Sequence, residues 1–257
     1  MYNQEIIANA DAQITFSNEG KFYTVSLYSQ KGLELIASLW LKLSCEYRLM
    51  YEPTWLGIPI IQLPDDIVMM QELIWKVRPD VIIECGLAHG GSAVLYASIC
   101  ELIGKGSIIG IDVEVRQYNR IAIKNHPLSK RIEIIEGSSI EEATVNLVRD
   151  KIASAETVMV VLDSNHSREH VLRELELYHA MVTPGSYLIV MDGAQAHVWE
   201  VPGCKRVAPD DNPLYAIREF LKNYPGWQID EYYNRLHLTS HPSGYLRKLT
   251  AEESKRK

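Results

Sequence analysis

An α/β fold, a doubly wound and mostly parallel sheet with helices on both faces, is what this sequence predicts, and three observations carry it. From residue 80 onward, short apolar runs at 81–83, 107–111, 131–135, 157–162 and 186–191 alternate with helix-length stretches at 93–102, 114–124, 139–150 and 167–181. Repeated β-α units of this length build parallel sheets covered by helices on both sides. The first run, Val81, Ile82 and Ile83, is apolar and β-branched throughout, as in a strand buried on both faces, and a Gly-rich turn follows it. Each run also ends on polar or small residues: Glu84, Asp112, Gly137-Ser138-Ser139, Asp163 and Asp192. Ligands of open parallel sheets sit at the carboxyl ends of the strands, and a purely structural sheet needs no such residues there.

Ahead of the sheet, residues 14–16 and 22–27 are expected to pair as a hairpin across Asn18-Glu19-Gly20. Leu33, Ile36, Ala37, Trp40, Leu41, Leu43, Tyr47 and Met50 recur near a 3.6-residue period, so 33–50 reads as an amphipathic helix. Its apolar face must pack on the sheet domain or on another subunit. Pro53 and Pro59 break the next segment, where Trp55 either lines a pocket or plugs a core edge. Asp65 or Asp66 is expected to cap a helix running to Val77, and Ser92 to cap the helix 93–102. Pro184-Gly185 closes the helix before the fifth run. A loop at 193–210 follows, then a helix from Pro213 to Asn223 with proline in its first turn. Pro225-Gly226 turns into an extended stretch at 227–232, and 235–245 is expected to fold into a terminal hairpin. The organisation is thus an N-terminal helical extension (1–64), a cofactor-binding domain (65–248) and a charged tail (249–257) expected to fray.

Composition narrows the function. The chain has 257 residues, 47% hydrophobic and 23% charged, with a net charge of −7. That is the mix of an ordinary globular protein. No Lys/Arg cluster marks a nucleic-acid or membrane footprint. Cys45, Cys85, Cys100 and Cys204 lack C-x-x-C spacing. With no signal peptide and no apolar run of ~18 residues, a reduced, cytoplasmic protein is expected. Cys85 reads as a small buried residue rather than a reactive thiol.

The Gly-rich turn decides the cofactor. A dinucleotide loop reads G-x-G-x-x-G and sets pyrophosphate on a helix N-terminus. Here the pattern is Glu84-x-Gly86-x-x-x-Gly90-Gly91-Ser92, with a carboxylate before the turn. A carboxylate repels phosphate but suits an ammonium, and S-adenosylmethionine carries an ammonium, a sulfonium and no phosphate. Glu84 is therefore assigned to the cofactor's amino-acid end and Asp112 to its ribose hydroxyls. Gly86 admits the ligand to the backbone. His89, Gly90 and Ser92 complete the turn, and Ser138 and Ser139 fall near the adenine.

Asp163 and Asp192 end neighbouring runs, so the fold should bring them together. Two close carboxylates repel unless a cation or shared proton separates them. Oxygen donors with no Cys or multiple-His set favour Mg²⁺. The alternative is that both acids cap helices or bind cofactor amines, and Asp163 is also assigned to the cofactor site. His166 follows in the same loop, where a neutral imidazole can take a proton from a substrate hydroxyl. Asp163 is the alternative base, and a merely hydrogen-bonded loop histidine is the plain alternative for His166.

Taken in order, Trp55-x-Gly57, the Glu84 to Ser92 pattern, Asp112, Gly137-Ser138-Ser139, Leu162-Asp163-Ser164-x-His166, Met191-Asp192 and Pro242-x-Gly244-Tyr245-Leu246 resemble the cephalosporin hydroxylase/rhamnosyl O-methyltransferase family over 50–248. The resemblance implies a Rossmann-like class I S-adenosylmethionine-dependent methyltransferase, with a seven-stranded sheet whose last strand is antiparallel. It also implies Mg²⁺ held by Asp163 and Asp192. Some relatives carry an acidic pair where this chain has Met191-Asp192, so a metal here would be weak, completed by Asn165 or water, or absent. Catechol-type O-methyltransferases, a more distant resemblance, place a lysine where this chain has His166. The expected protein is an O-methyltransferase acting on a hydroxyl of a glycosylated or other small natural product, and a homo-oligomer. An NAD-dependent oxidoreductase is the first rival, weakened by the missing G-x-G-x-x-G. A non-catalytic cofactor-binding partner subunit is the second, with Met191 its only hint.

Overall fold

The computed structural model describes residues 7–8, 12–18, 20–204 and 208–255. Glu19 of the expected hairpin turn, part of the 193–210 loop and the last two residues of the tail lie outside them. The elements are β1 (Ile7–Ala8), β2 (Gln13–Asn18), β3 (Lys21–Ser26), α1 (Gln30–Glu46), β4 (Thr54–Trp55), β5 (Ile58–Pro59), α2 (Pro64–Val77), β6 (Val81–Cys85), α3 (Gly91–Ile103), β7 (Ser107–Asp112), α4 (Gln117–Asn125), β8 (Ile132–Glu136), α5 (Glu142–Lys151), β9 (Val158–Leu162), α6 (Arg168–Tyr178), β10 (Tyr187–Val190), α7 (Gln195–Val198), α8 (Pro213–Asn223), β11 (Trp227–Ile229), β12 (Tyr245–Lys248) and α9 (Ala251–Ser254).

The central sheet has seven strands in the order β11-β12-β10-β9-β6-β7-β8, and β12 alone runs against its neighbours. It is the Rossmann-like class I methyltransferase sheet that the resemblance implied. β6 is an interior strand between β9 and β7, with all five residues buried. Its alternation divides the core: Ile82 packs with α2 and α3, while Val81, Ile83 and Cys85 pack with α5, α6 and α8. Burial of each such side chain stabilises by about 1.5–3 kcal/mol. The chain leaves β6 for β7 on one side, and β9 occupies the other, which is the strand-order reversal where ligands bind. The tips are tied level there by Gly86 N–H to Ile111 O and by Asp163 N–H to Cys85 O.

Several local expectations are corrected. β6 does not stop before Glu84 but runs through it to Cys85. α3 begins at Gly91 with Gly90, in left-handed conformation, at its cap, and Ser92 lies inside the first turn. α2 is opened by Pro64, which needs no N–H donor there. Asp66 is consequently free for tertiary bonds to Thr239 and Ser240 instead of a cap. That bonding holds 235–241 as a loop, and β12 inserts between β10 and β11 rather than closing a local hairpin. α7 interrupts the expected 193–210 loop. Most of the described tail is helical, because Thr250 and Glu253 form a reciprocal capping box and Arg247 pairs with Glu253. α1 ends at Glu46 rather than residue 50, since Arg48 turns left-handed at φ 55°. Its body-facing side is Leu35, Leu41 and Cys45, while Leu33, Ile36, Trp40, Leu43 and Tyr47 face outward. Trp55 packs on the core and donates its indole N–H to Ser98 at 3.0 Å, which settles its two readings for the core. Among the described residues, no helix is long and apolar enough to cross a membrane.

Candidate active site

Three cavities open at the carboxyl ends of the sheet, and His166 lines all of them. The first, about 210 Å³, lies between the Gly-rich turn and the segment from Pro59 to Gln62. The second, about 410 Å³, is walled by Asp112, Ser139, Asp163 and His170. The third, about 530 Å³, faces α1 and is walled by Leu41, Cys45, Val198, Trp199 and Asp192. The first two share Gly86, Ala88, Asp163, Ser164 and His166 and together make one elongated site along the strand tips.

The turn is held open by its own chemistry. Gly86 has φ +94°, and a Cβ there would run into the Asp163 carbonyl, so only glycine lets the tips of β6 and β9 close up. Asp112 does more than face the second cavity. Its Oδ2 accepts the N–H groups of Leu87 and Ala88 at 2.9 and 3.1 Å, and its Oδ1 accepts Glu114 N–H at 3.2 Å. His89, Gly90 and Ser92 line the first cavity. His89 Nδ1 lies 3.4 Å from Asn119 Oδ1, and Asn119 donates to Ala88 O, which ties the turn to α4. Ser139 lines the second cavity and lies 3.3 Å from His170 Nε2; Ser138 lines none of the three.

Glu84 is placed differently from the expectation. Its side chain points between β6 and α3, beside the hydroxyls of Ser92 and Tyr96, and lines no cavity. Burial pushes its carboxyl up to about 8; Ser92 and Tyr96 oppose that rise and the Asp112 charge adds to it. Buried and outside all three cavities, it does not face a ligand held in them. The physical reason is the strand's extra residues: alternation turns Glu84 to the same side as Ile82, into the core.

Asp163, His166 and Asp192 present donor atoms within 4.8 Å of one another. His166 Nε2 lies 3.2 Å from Asp192 Oδ2. Burial, then the charges of Asp192, Glu84 and Glu174, hold the Asp163 carboxyl well above the usual carboxylate range. Two oxygen donors and one imidazole whose acids repel each other are a cation-ready set. Asn165 lines the second cavity but its Oδ1 accepts Ser167 N–H at 2.9 Å, and Met191 is buried in the core.

Four residues that sequence reasoning passed over belong to the site. Asp192 sits at φ +59°, and its N–H donates to His241 Nδ1 at 3.2 Å. His241 Nε2 stands 3.6 Å from Asp66 Oδ2, both residues buried, so a carboxyl on α2 lies beside the imidazole that accepts the Asp192 N–H. Gln62, only 3% exposed, borders the first cavity, and its amide finds no hydrogen-bond partner of normal geometry among the described residues. A buried amide without partners is costly, which suits a polar ligand end there. His170 is the fourth, on α6 against Ser139 and Ser164. The one sequence signal was position: Gln62 precedes a helix-opening Leu-Pro, and His241 precedes the Pro242-x-Gly244 motif.

Comparison with known proteins follows the same segment. The family model described as Rhamnosyl O-methyltransferase/CmcI matches residues 47–249. Rhamnosyl O-methyltransferase of Mycobacterium tuberculosis (strain ATCC 25618 / H37Rv) is 28% identical over 200 residues, 75% of this chain and 77% of its own length. That of Mycobacterium leprae (strain TN) is 28% identical over 178 residues, 67% of this chain and 72% of its own length. In structure, the chain resembles a CmcI apo form (TM-score 0.58, 20% identity) and the Mg-SAM form of CmcI (TM-score 0.57, 19% identity), each over 78% of both chains. These structural likenesses concern the fold.

Proposed function

The chain belongs to the rhamnosyl O-methyltransferase/CmcI family of S-adenosylmethionine-dependent O-methyltransferases, and we propose that it methylates a hydroxyl of a glycosylated or other small natural product in the cytoplasm. The observation that carries this reading is the junction at His166. The two-part cavity along the strand tips meets the cavity facing α1 there, beside Asp163 and Asp192.

In this reading the first cavity takes the amino-acid end of S-adenosylmethionine, whose sulfonium supplies an electrophilic methyl. The Gln62 amide and the backbone of the turn from Gly86 to Ser92 hold that end, with Asp163 facing the ammonium. Asp112 takes the ribose hydroxyls and Ser139, beside His170, the adenine. The cavity facing α1 takes the acceptor. His166 removes the hydroxyl proton, and Asp192, 3.2 Å from Nε2, stabilises the resulting imidazolium. His241, accepting the Asp192 N–H, holds that backbone in place. Catalysis is then mostly positioning, because methyl transfer is an in-line displacement.

The donor set also suits a divalent cation. Asp163 and Asp192 would hold Mg²⁺, which when bound supplies positive charge against the negative charge developing on the acceptor oxygen. The CmcI structure named for Mg and SAM supports this reading without extending to the acceptor. The test is turnover of S-adenosylmethionine against a panel of glycosylated hydroxyl compounds, read as S-adenosylhomocysteine release. Calorimetry of the wild type with S-adenosylhomocysteine and with NADH runs alongside. Binding of NADH in place of S-adenosylhomocysteine would sink the cofactor assignment.

A further inference from the structure

α6 turns a polar row toward the loops that follow β8 and β9. His170, Glu174 and Tyr178 recur at i, i+4 and i+8, so they stand above one another on one side of the helix. Glu174 is fully buried. Among the described residues the only basic group within ion-pair distance of it is His170, whose Nε2 lies 3.4 Å from Oε1. Its Oε2 has no hydrogen-bond partner of normal geometry among them. A buried carboxyl with so few partners costs stability that an apolar residue would not. Glu174 lines none of the three cavities, and the steps described above do not use it.

The hydrogen bonds around it fix one another. Ser164 Oγ donates to Glu174 Oε1 at 2.7 Å, which spends its single proton. Toward His170 Nε2, 3.2 Å away, Ser164 can then only accept. Nε2 must therefore carry the hydrogen, and the Glu174 oxygen beside it favours the same tautomer. Ser139 Oγ stands 3.3 Å from that N–H and accepts it in turn. The Ser139 hydroxyl has no other partner among the described residues. Tyr178 donates to the Ser139 carbonyl at 2.9 Å, so the same row pins the serine backbone. Ser139 lines the second cavity and is left with a proton to donate there.

We propose that Glu174, acting through Ser164 and His170, sets Ser139 as a hydrogen-bond donor to N1 of the adenine, so that the site selects a 6-amino over a 6-oxo purine. The inference rests on the proposed function, in which the second cavity takes the adenine. N1 of adenine is an acceptor, whereas in hypoxanthine it carries a hydrogen and meets the Ser139 proton head-on. Without Glu174 the polarity is released: the Ser164 proton turns to Nε2, the ring hydrogen moves to Nδ1, and Ser139 is no longer held to donating. Glu174 and His170 are thus positioning residues, and Ser139 is the group that touches the base.

Calorimetry with S-adenosylhomocysteine and with S-inosylhomocysteine, which differ only in the 6-substituent and the N1 hydrogen, tests it. The wild type should prefer the adenosyl compound by about ten- to a hundredfold. Glu174→Leu, which removes the carboxyl at similar volume, and Ser139→Ala should each bring the two affinities within about threefold of each other. Nitrogen NMR of the ligand-free wild type reads the tautomer directly. The neutral His170 ring, assigned by its absence from His170→Phe, should carry its hydrogen on Nε2, and Glu174→Leu should shift it toward Nδ1. Equal affinities in the wild type overturn the inference and leave the cofactor reading intact. A wild-type His170 protonated on Nδ1 overturns it too. So does a Glu174→Leu protein that binds both compounds more weakly with their ratio unchanged, because that is the mark of a merely structural carboxyl. A wild type that binds neither compound removes the cofactor reading, and this inference falls with it.

Discussion

Replacing Glu84 by glutamine should change how stability depends on pH while leaving the cofactor site almost untouched. The Glu84 carboxyl is buried between β6 and α3 and is pushed up to about 8. Its unfolded value is near 4.5. Between those two values the folded chain holds a proton that the unfolded chain has lost, so stability falls as pH rises. The protonated form is the stabilising one: the contribution is complete below about pH 4.5 and is gone above about pH 8. Linkage puts the loss between pH 5 and pH 7.5 at about 3 kcal/mol. For a chain of this size that corresponds to roughly 6–12 °C in Tm. Asp163 is raised in the same direction and tilts the wild-type curve too, so wild type alone is not diagnostic. A glutamine side chain keeps the shape and cannot ionise. Urea titrations of wild type and Glu84→Gln at pH 5, 6, 7 and 7.5 should show their stability difference moving by about 3 kcal/mol in favour of the variant as pH rises. S-adenosylhomocysteine affinity should change less than about threefold, a fraction of a kcal/mol. Parallel stability curves would refute the neutral buried carboxyl. A large loss of affinity would return Glu84 to direct contact with the ammonium.

Asp112→Ala removes one carboxylate from three backbone N–H groups and from the second cavity; loss of a charged acceptor at about 1.5–3 kcal/mol should weaken S-adenosylhomocysteine about ten- to hundredfold by calorimetry, and unchanged affinity would remove the ribose role. His166→Ala should lower kcat by about 10²–10⁴-fold with Tm and cofactor affinity nearly unchanged; the reverse pattern, normal turnover with a lower Tm, would make His166 a scaffold. Because Asp163 must lose a proton that its surroundings retain, Mg²⁺ affinity should rise with pH from 6 to 8 and binding should release protons. Calorimetry in buffers of different ionisation enthalpy reads both, and full activity in excess EDTA together with an active Asp192→Asn variant would rule the metal out.

The sequence by itself determined what depends on local pattern. Apolar runs such as 81–83, bounded by turns and alternating repeatedly with helix-length segments, point to a parallel sheet, because helices on both faces bury such strands throughout. It also determined which residues reach the strand tips, since a change from apolar to polar marks where the sheet ends, and Asp112, Asp163 and Asp192 stand there. It misjudged Glu84 by the same rule: a polar residue was taken for a strand end, when the strand continued and alternation turned the carboxyl inward. Long-range pairing was decided only by the tertiary structure. Asp66 is far from His241 in the chain, and neither residue has a local pattern that predicts their meeting beside Asp192. β12 took its place between β10 and β11 because sheet register, not a nearby turn, chose its partners. The periodicity of α1 was plain in the sequence, but periodicity marks an apolar side without saying what covers it. The tertiary structure packed Leu41 and Cys45 inward through contacts with distant segments and left the regular stripe on the outside, since burial is settled by which surfaces meet and not by spacing along one helix.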